Sequence, residues 1–154
     1  MSRAFVKEPD GGTPEPPPER PVSAHPNLVT PEGLAAIERE LKRLDAAHAA
    51  AVTANDAAAT ALIQRDLRYW SARRASAQVV APPADLSRVQ FGATVSIERD
   101  DGRRQTFRIV GEDEADPAHG TLSHVSPLAR ALFGKVVGDV VAVGGGEAEI
   151  LGIG

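Results

Sequence analysis

Ser123 to Lys135 reads S-H-V-S-P-L-A-R-A-L-F-G-K, and this run sets the kind of fold the C-terminal half can adopt. Ser126 is a strong N-cap, and Pro127 stands at the first helical position, where its missing N–H leaves nothing unsatisfied. Leu128, Ala131 and Leu132 recur at spacings of three and four, which gives a short helix one apolar face. Gly134 stops that helix after about two turns, with Lys135 near its negative end. Strand-like runs flank it on both sides. One helix laid on a small sheet buries the apolar face, so the expected class is α+β.

Outward from that helix, Val89, Phe91, Val95 and Ile97 mix with polar residues as in a strand. Asp101-Gly102 signals a hairpin turn, and Thr106 to Val110 is the return strand. Glu112 to Gly120 is expected to be a solvated acidic loop, followed by a short strand at Thr121 to Ser123. Gly138-Asp139 reads as a turn, and Val140 to Val143 with Ala148 to Ile153 form a last hairpin. Gly144-Gly145-Gly146 lacks the Lys-Ser/Thr that follows a phosphate-binding loop and is read as a turn. The expected domain, residues 85–154, is a small antiparallel sheet of about five strands with one helix.

The preceding segment has a different period. Thr30-Pro31-Glu32 supplies an N-cap, a first-turn proline and an acid at the positive end of a helix. Leu34, Ile37, Leu41 and Leu44 follow as a coiled-coil seam, which thins to alanine after Leu44. Asn55 and Asp56 suit a tight turn, Asp56 capping a second helix from about Ala57 to Ala77. In that helix Ile63, Leu67 and Trp70 are placed on the seam, with Trp70 in the core and Tyr69 on the surface. The result is an antiparallel helical hairpin over 29–81, each arm roughly 30 to 35 Å long. Pro82-Pro83 closes it. Residues 1–28 hold seven of the twelve prolines and are expected to form a disordered arm, with polyproline II at Pro16, Pro17 and Pro18.

Composition narrows the chemistry. There is no cysteine, which excludes disulfides and thiolate metal sites. A net charge of −4 gives no wholesale nucleic-acid coat, although Arg65, Arg68, Arg73 and Arg74 make a local basic face that suits contact with RNA. The four histidines show no metal-ligand spacing, so no metal or cofactor is expected. No apolar run approaches the ~20 residues a membrane span requires, and a cytoplasmic, non-membrane protein is expected, taken as a monomer.

Three runs carry a family resemblance: F-R-I-V-G-E-D-E-A-D (107–116), S-x-x-S-P-L-A-R-A-L-F-G-K (123–135) and V-G-D-V-V (137–141). In combination they resemble the C-terminal domain of the bacterial Gre (GreA/GreB-type) transcription elongation factors. Val29-Thr30-Pro31-Glu32-Gly33-Leu34 and Ala77-Gln78-Val79-Val80 look like the entry and exit of the family's N-terminal hairpin. The resemblance implies an FKBP-like C-terminal domain seated on the rim of RNA polymerase's secondary channel, with the hairpin pointing toward the active site. It makes Val125, Ser126, Pro127 and Arg130 the polymerase-binding candidates, with Val125 where the family commonly has Asp or Asn.

The tip departs from the family. Cleavage-stimulating members carry an acidic D-x-x-E-N-A-x-Y-type tip, whose carboxylates help hold a second magnesium of the polymerase. That task needs paired hard oxygen ligands. Here the tip offers Asn55 and Asp56, and the second helix has no further carboxylate before Asp66. Asp56 is thus a weak tip candidate, and both arms look shorter than the family's by roughly three turns, ~15 Å. The expected function is a non-enzymatic regulator that competes with other channel-binding factors. The alternatives are a cleavage factor using Asp56, a hairpin adaptor independent of polymerase, and an FKBP-like isomerase or chaperone. For the last, Phe91, Phe107 and Phe133 are too few to line a pocket.

Overall fold

The computed structural model describes residues 15–154. Its first regular element is β1, Leu28–Val29, which leads into α1, Pro31–Thr53, and α2, Ala57–Ser76, followed by β2, Gln78–Val79. The two-residue strands pair in parallel, Leu28 opposite Gln78 and Val29 opposite Val79. Parallel neighbours need a crossover connection, and here the helical hairpin itself is that crossover. The pair therefore clamps both ends of the hairpin at one point.

Thr30 caps α1, its side chain accepting from Gly33 N, and Asp56 caps α2, accepting from Ala59 N. Between them Asn55 takes φ 55°. Asn55 N donates to Val52 O and Asp56 N to Ala51 O, which closes α1 as a Schellman motif. The expected break falls at these residues because asparagine tolerates the left-handed region better than alanine does. Ile37, Leu44 and Ala51 are buried, one heptad apart, with Leu34 and Leu41 half-buried beside them. On α2 the apolar seam residues Ile63, Leu67 and Trp70 are only half-buried, and the one buried side chain is Arg73.

The C-terminal part holds β3 (Thr94–Arg99), β4 (Arg104–Val110), β5 (Thr121–Ser123), α3 (Pro127–Leu132), β6 (Val140–Val143) and β7 (Gly146–Ile153). The five strands are ordered β5-β4-β3-β7-β6, antiparallel except at the β4–β5 edge. Gly111 to Gly120, with a 3-10 turn at Pro117–His119, carries the chain back so that β5 runs beside β4 in the same direction. Val95, Ile97, Phe107, Ile109, Ala148 and Ile150 point to one face of the sheet, where Leu128, Ala129 and Leu132 of α3 close the core. Alternation at period two and an apolar face at period 3.6 thus meet as expected, giving the α+β, FKBP-like arrangement. Val89 to Phe91 precede the sheet rather than join β3. Val89 is buried through its exchange with the end of α3, where Val89 N donates to Lys135 O and Gly134 N to Val89 O.

The expectation of a disordered arm needs correction over residues 15–27. These lie along α2, with Pro16 and Pro17 beside Ala57, Ala58, Ala61 and Leu62, and with Arg20 over the rings of Tyr69 and Trp70. Aromatic and guanidinium groups on α2 give the extended chain something to lie on, which composition alone does not disclose. The rest of that expectation, residues 1–14, lies outside the described residues.

Candidate functional site

The hairpin presents its tip at one end and meets the sheet domain at the other. The joint at that base is built from the loop after β4, which sequence reading takes as solvated. The structure corrects this: Glu112, Asp113 and Glu114 all turn inward. The Glu114 carboxylate accepts from Thr30 N at 2.9 Å and Gly111 N at 3.1 Å, and also from the Thr30 hydroxyl. A capping box places a Glu or Gln three residues after the N-cap, reaching back to the N-cap N–H. Here that position is Gly33, and Glu114 supplies the carboxylate from 84 residues away. A Cβ on Gly33 would lie 2.2 Å from the Glu114 carboxylate, so the glycine makes room for it.

Asp113 holds the other side of the joint. Its carboxylate accepts from Tyr69 Oη at 2.6 Å and from Arg73 Nε at 2.6 Å. Arg73 is 1% exposed, and its Nη2 donates to Asn27 Oδ1 at 2.8 Å, while Asn27 Nδ2 donates to Arg73 O at 2.8 Å. Arg73 is therefore buried in the joint and is not part of the local basic face expected on α2. Burial and the hydrogen bond to Asp113 push the Tyr69 hydroxyl up to about 12. Tyr69 is therefore part of the joint, and Trp70, half-buried under Arg20, is not a core residue.

The remaining basic candidates are paired within the chain. Arg65 meets Asp66 at 3.0 Å, Arg74 meets Glu38 at 3.0 Å, and Arg68 is held by Glu19, with Nε donating at 2.8 Å. A carboxylate already sits on each of these guanidinium groups, so the basic face offers fewer open phosphate partners than a count of arginines implies.

The loop from β5 to α3 lies next to the joint. Ser126 caps α3, accepting from Ala129 N at 3.3 Å, and Val125 N donates to Ser123 Oγ at 3.2 Å. Val125 and Ser126 are half-buried, while Pro127 and Arg130 are exposed. Arg130 has no side-chain hydrogen bond or ion pair among the described residues. His124 is buried just behind, edge-on to Phe91 with ring centroids 5.5 Å apart. Burial holds its imidazole below the usual range, against the opposing pull of Glu112, with His25, Arg130 and Arg73 lowering it further. Its Nε2 and Glu112 Oε2 are both buried without a hydrogen-bond partner among the described residues. Phe91 and Phe107 fill the core rather than line a cleft.

At the tip, about 35 Å from the base by helix rise, Asp56 is exposed and its Oδ1 accepts from Ala59 N at 3.0 Å. One oxygen of the carboxylate is thereby engaged in capping α2. No other carboxylate lies between Asp45 and Asp66.

These observations define a class: a helical hairpin fixed by a buried ionic joint to an FKBP-like domain, with exposed Pro127 and Arg130 at the start of α3. A family model described as "Transcription elongation factor, GreA/GreB, C-term" matches residues 83–153. Transcription elongation factor GreA of Methylobacterium nodulans is 39% identical over 149 residues, covering 81% of this chain and 94% of that protein. Transcription elongation factor GreB of Neisseria meningitidis serogroup B is 44% identical over 97 residues, covering 59% and 60%. The chain belongs to the GreA/GreB family. Among solved structures, the GreA/GreB factor from Nitrosomonas europaea is 20% identical with a TM-score of 0.40, covering 82% of this chain and 98% of that one. The Gfh1 protein of Thermus thermophilus is 17% identical with a TM-score of 0.39, covering 84% and 99%. Scores this low add nothing to the assignment, which rests on sequence.

Of the residues that build the joint, sequence reading names Arg73 for a different role and gives Glu114, Gly33, Asn27 and Asp113 none. One signal was available: Thr30-Pro31-Glu32-Gly33 is an N-cap sequence whose capping-box position is empty.

Proposed function

We propose that this protein is a Gre-type regulator of transcription elongation that binds bacterial RNA polymerase at the rim of its secondary channel and does not stimulate transcript cleavage. The docking surface is the β5–α3 loop, with Val125, Ser126, Pro127 and Arg130. The exposed guanidinium of Arg130 suits a carboxylate or a carbonyl of the partner. The hairpin enters the channel and acts by occupying it, which excludes other channel-binding factors.

One observation carries the non-cleaving reading: the hairpin's own tip sequence holds a single carboxylate between Asp45 and Asp66, that of Asp56, and one of its oxygens is engaged in capping α2. Holding an exchangeable magnesium from the end of a long arm takes paired, uncommitted oxygens. The shorter arms proposed for this hairpin point the same way, since a tip that stops short of the catalytic centre cannot complete a metal site there. The proposed competition needs neither metal nor cofactor.

The test is a transcript-cleavage assay on a backtracked elongation complex, alone and in competition with a cleavage-active Gre factor. No cleavage with suppression of the active factor is the expected result. Cleavage that vanishes in Asp56→Ala would instead assign the tip a catalytic role. Neither cleavage nor competition would favour an adaptor function away from the polymerase.

A further inference from the structure

Residues 15–20 lie on the part of α2 that concentrates the hairpin's recognition chemistry. Tyr69 and Trp70 are the chain's single tyrosine and single tryptophan. They meet edge to face, with centroids 5.1 Å apart, and the Arg20 guanidinium lies 4.0 Å from the Tyr69 ring centre and 5.6 Å from that of Trp70. Arg20 Nη1 also reaches Asp66 at 3.3 Å. One residue earlier, Glu19 accepts from Arg68 Nε through both of its oxygens, at 2.8 and 3.1 Å. Further toward the tip, Pro16 and Pro17 share an apolar cleft with Ala57, Ala58, Ala61 and Leu62.

Two features show how firmly this segment is held. No backbone hydrogen bond joins residues 15–25 to α2 among the described residues, so the attachment is through side chains alone. The Glu19–Arg68 pair is also open to solvent, with side chains 61% and 55% exposed. An exposed ion pair is weak and screened by salt, and a single cation–π contact, here with Arg20 half-buried, is modest. The chemistry that docks the segment is specific in kind, yet it is easily exchanged.

We propose that residues 15–20 form a self-docked strap over a peptide-docking face of α2, and that the strap must leave before the Tyr69–Trp70 face can meet the polymerase. The strap shows what the face accepts: an extended segment with prolines for the Ala61–Leu62 cleft, a carboxylate for Arg68 and a guanidinium for the rings. Trp, Tyr and Arg are the side chains that most often anchor interfaces, and here they are covered in cis. The strap is thus an autoinhibitory contact released by raised ionic strength or by a competing partner segment. This inference rests on the polymerase-binding reading above.

The experiment uses the full chain, wild type and Arg20→Ala, with Trp70 as the built-in reporter. Acrylamide quenching of Trp70 is measured from low to high salt, and affinity for core RNA polymerase is measured at low salt. Arg20→Ala is expected to expose Trp70 at low salt to the degree the wild type reaches only at high salt. It is also expected to bind polymerase about tenfold more tightly, the weight of a few modest contacts. The charge reversal Glu19→Arg is expected to release the strap likewise, and adding Arg68→Glu to restore it. Unchanged Trp70 quenching in Arg20→Ala would overturn the strap. Equal or weaker polymerase binding by a variant with an exposed Trp70 would overturn the autoinhibition while leaving polymerase binding intact. Absence of polymerase binding by either protein would overturn both readings.

Discussion

Replacing Arg73 by methionine removes the charge at the base of the hairpin while keeping most of the side-chain stem. In the wild type the guanidinium is 2.6 Å from Asp113 Oδ2 and 3.8 Å from Glu112 Oε2, and it donates to Asn27 at 2.8 Å. The Arg73 side chain is 1% exposed and that of Asp113 is 9% exposed, so neither is screened by bulk water. In Arg73→Met the Asp113 carboxylate keeps only the Tyr69 hydroxyl, and Glu112 Oε2, already without a hydrogen bond, loses its nearest cation. Breaking a buried pair from one side costs about 3–5 kcal/mol, because the remaining charge stays uncompensated. That is a large share of the ~5–15 kcal/mol that stabilises a typical domain. The companion Asp113→Asn in the Arg73→Met background removes the orphaned charge and is expected to recover about 1–3 kcal/mol. Urea unfolding of the full chain, with both single variants and the double, completes the cycle. A loss below about 1 kcal/mol for Arg73→Met, the scale of an exposed pair, would refute the view that the joint is a buried ionic lock. So would strict additivity of the two substitutions.

Other outcomes follow from the same joint. Gly33→Ala adds a good helix former to α1, worth about 1 kcal/mol in isolation. Its Cβ would meet the Glu114 carboxylate at 2.2 Å, and displacing that group strips Thr30 and Gly111 of a charged acceptor, at about 1–3 kcal/mol. Net destabilisation in thermal unfolding is therefore expected, and a gain in stability would count against the shared cap. Tyr69 is held protonated by burial and Asp113, so its stabilising contribution is complete below pH 10 and is lost as pH rises toward about 12. The ultraviolet titration of this one tyrosine should have its midpoint well above 10, and should fall back toward 10 in Asp113→Ala. His124 is depressed by burial, so its contribution is complete above its ordinary 6.5 and fades as pH falls below that value. A loss of urea stability on acidification that persists unchanged in His124→Gln would assign the effect elsewhere. Asp56→Ala should cost about 1 kcal/mol as a lost N-cap, read by thermal unfolding.

How much of this was legible in the sequence follows from the range of each interaction. The start of α1, the turn at Asn55 and Asp56, and the start of α3 are fixed by side chains bonding backbone three residues away, as at Thr30, Asp56 and Ser126. Such contacts are written in short strings, and so are the strands and the heptad spacing of Ile37 and Leu44. The motifs at 107–116 and 123–135 carried the family for the same reason: they are contiguous.

Tertiary structure alone decided the joint and the strap. Glu114 reaches Thr30 across 84 residues, Asp113 reaches Arg73 across 40, and Glu19 reaches Arg68 across 49. Read locally, each of these charges looks like a solvated surface residue, because a side chain's own neighbours in sequence do not reveal whether a counter-charge will arrive to offset its burial. The same run of acids would be a solvated loop on a chain that folded without the hairpin. In this protein it is the seat on which the hairpin stands.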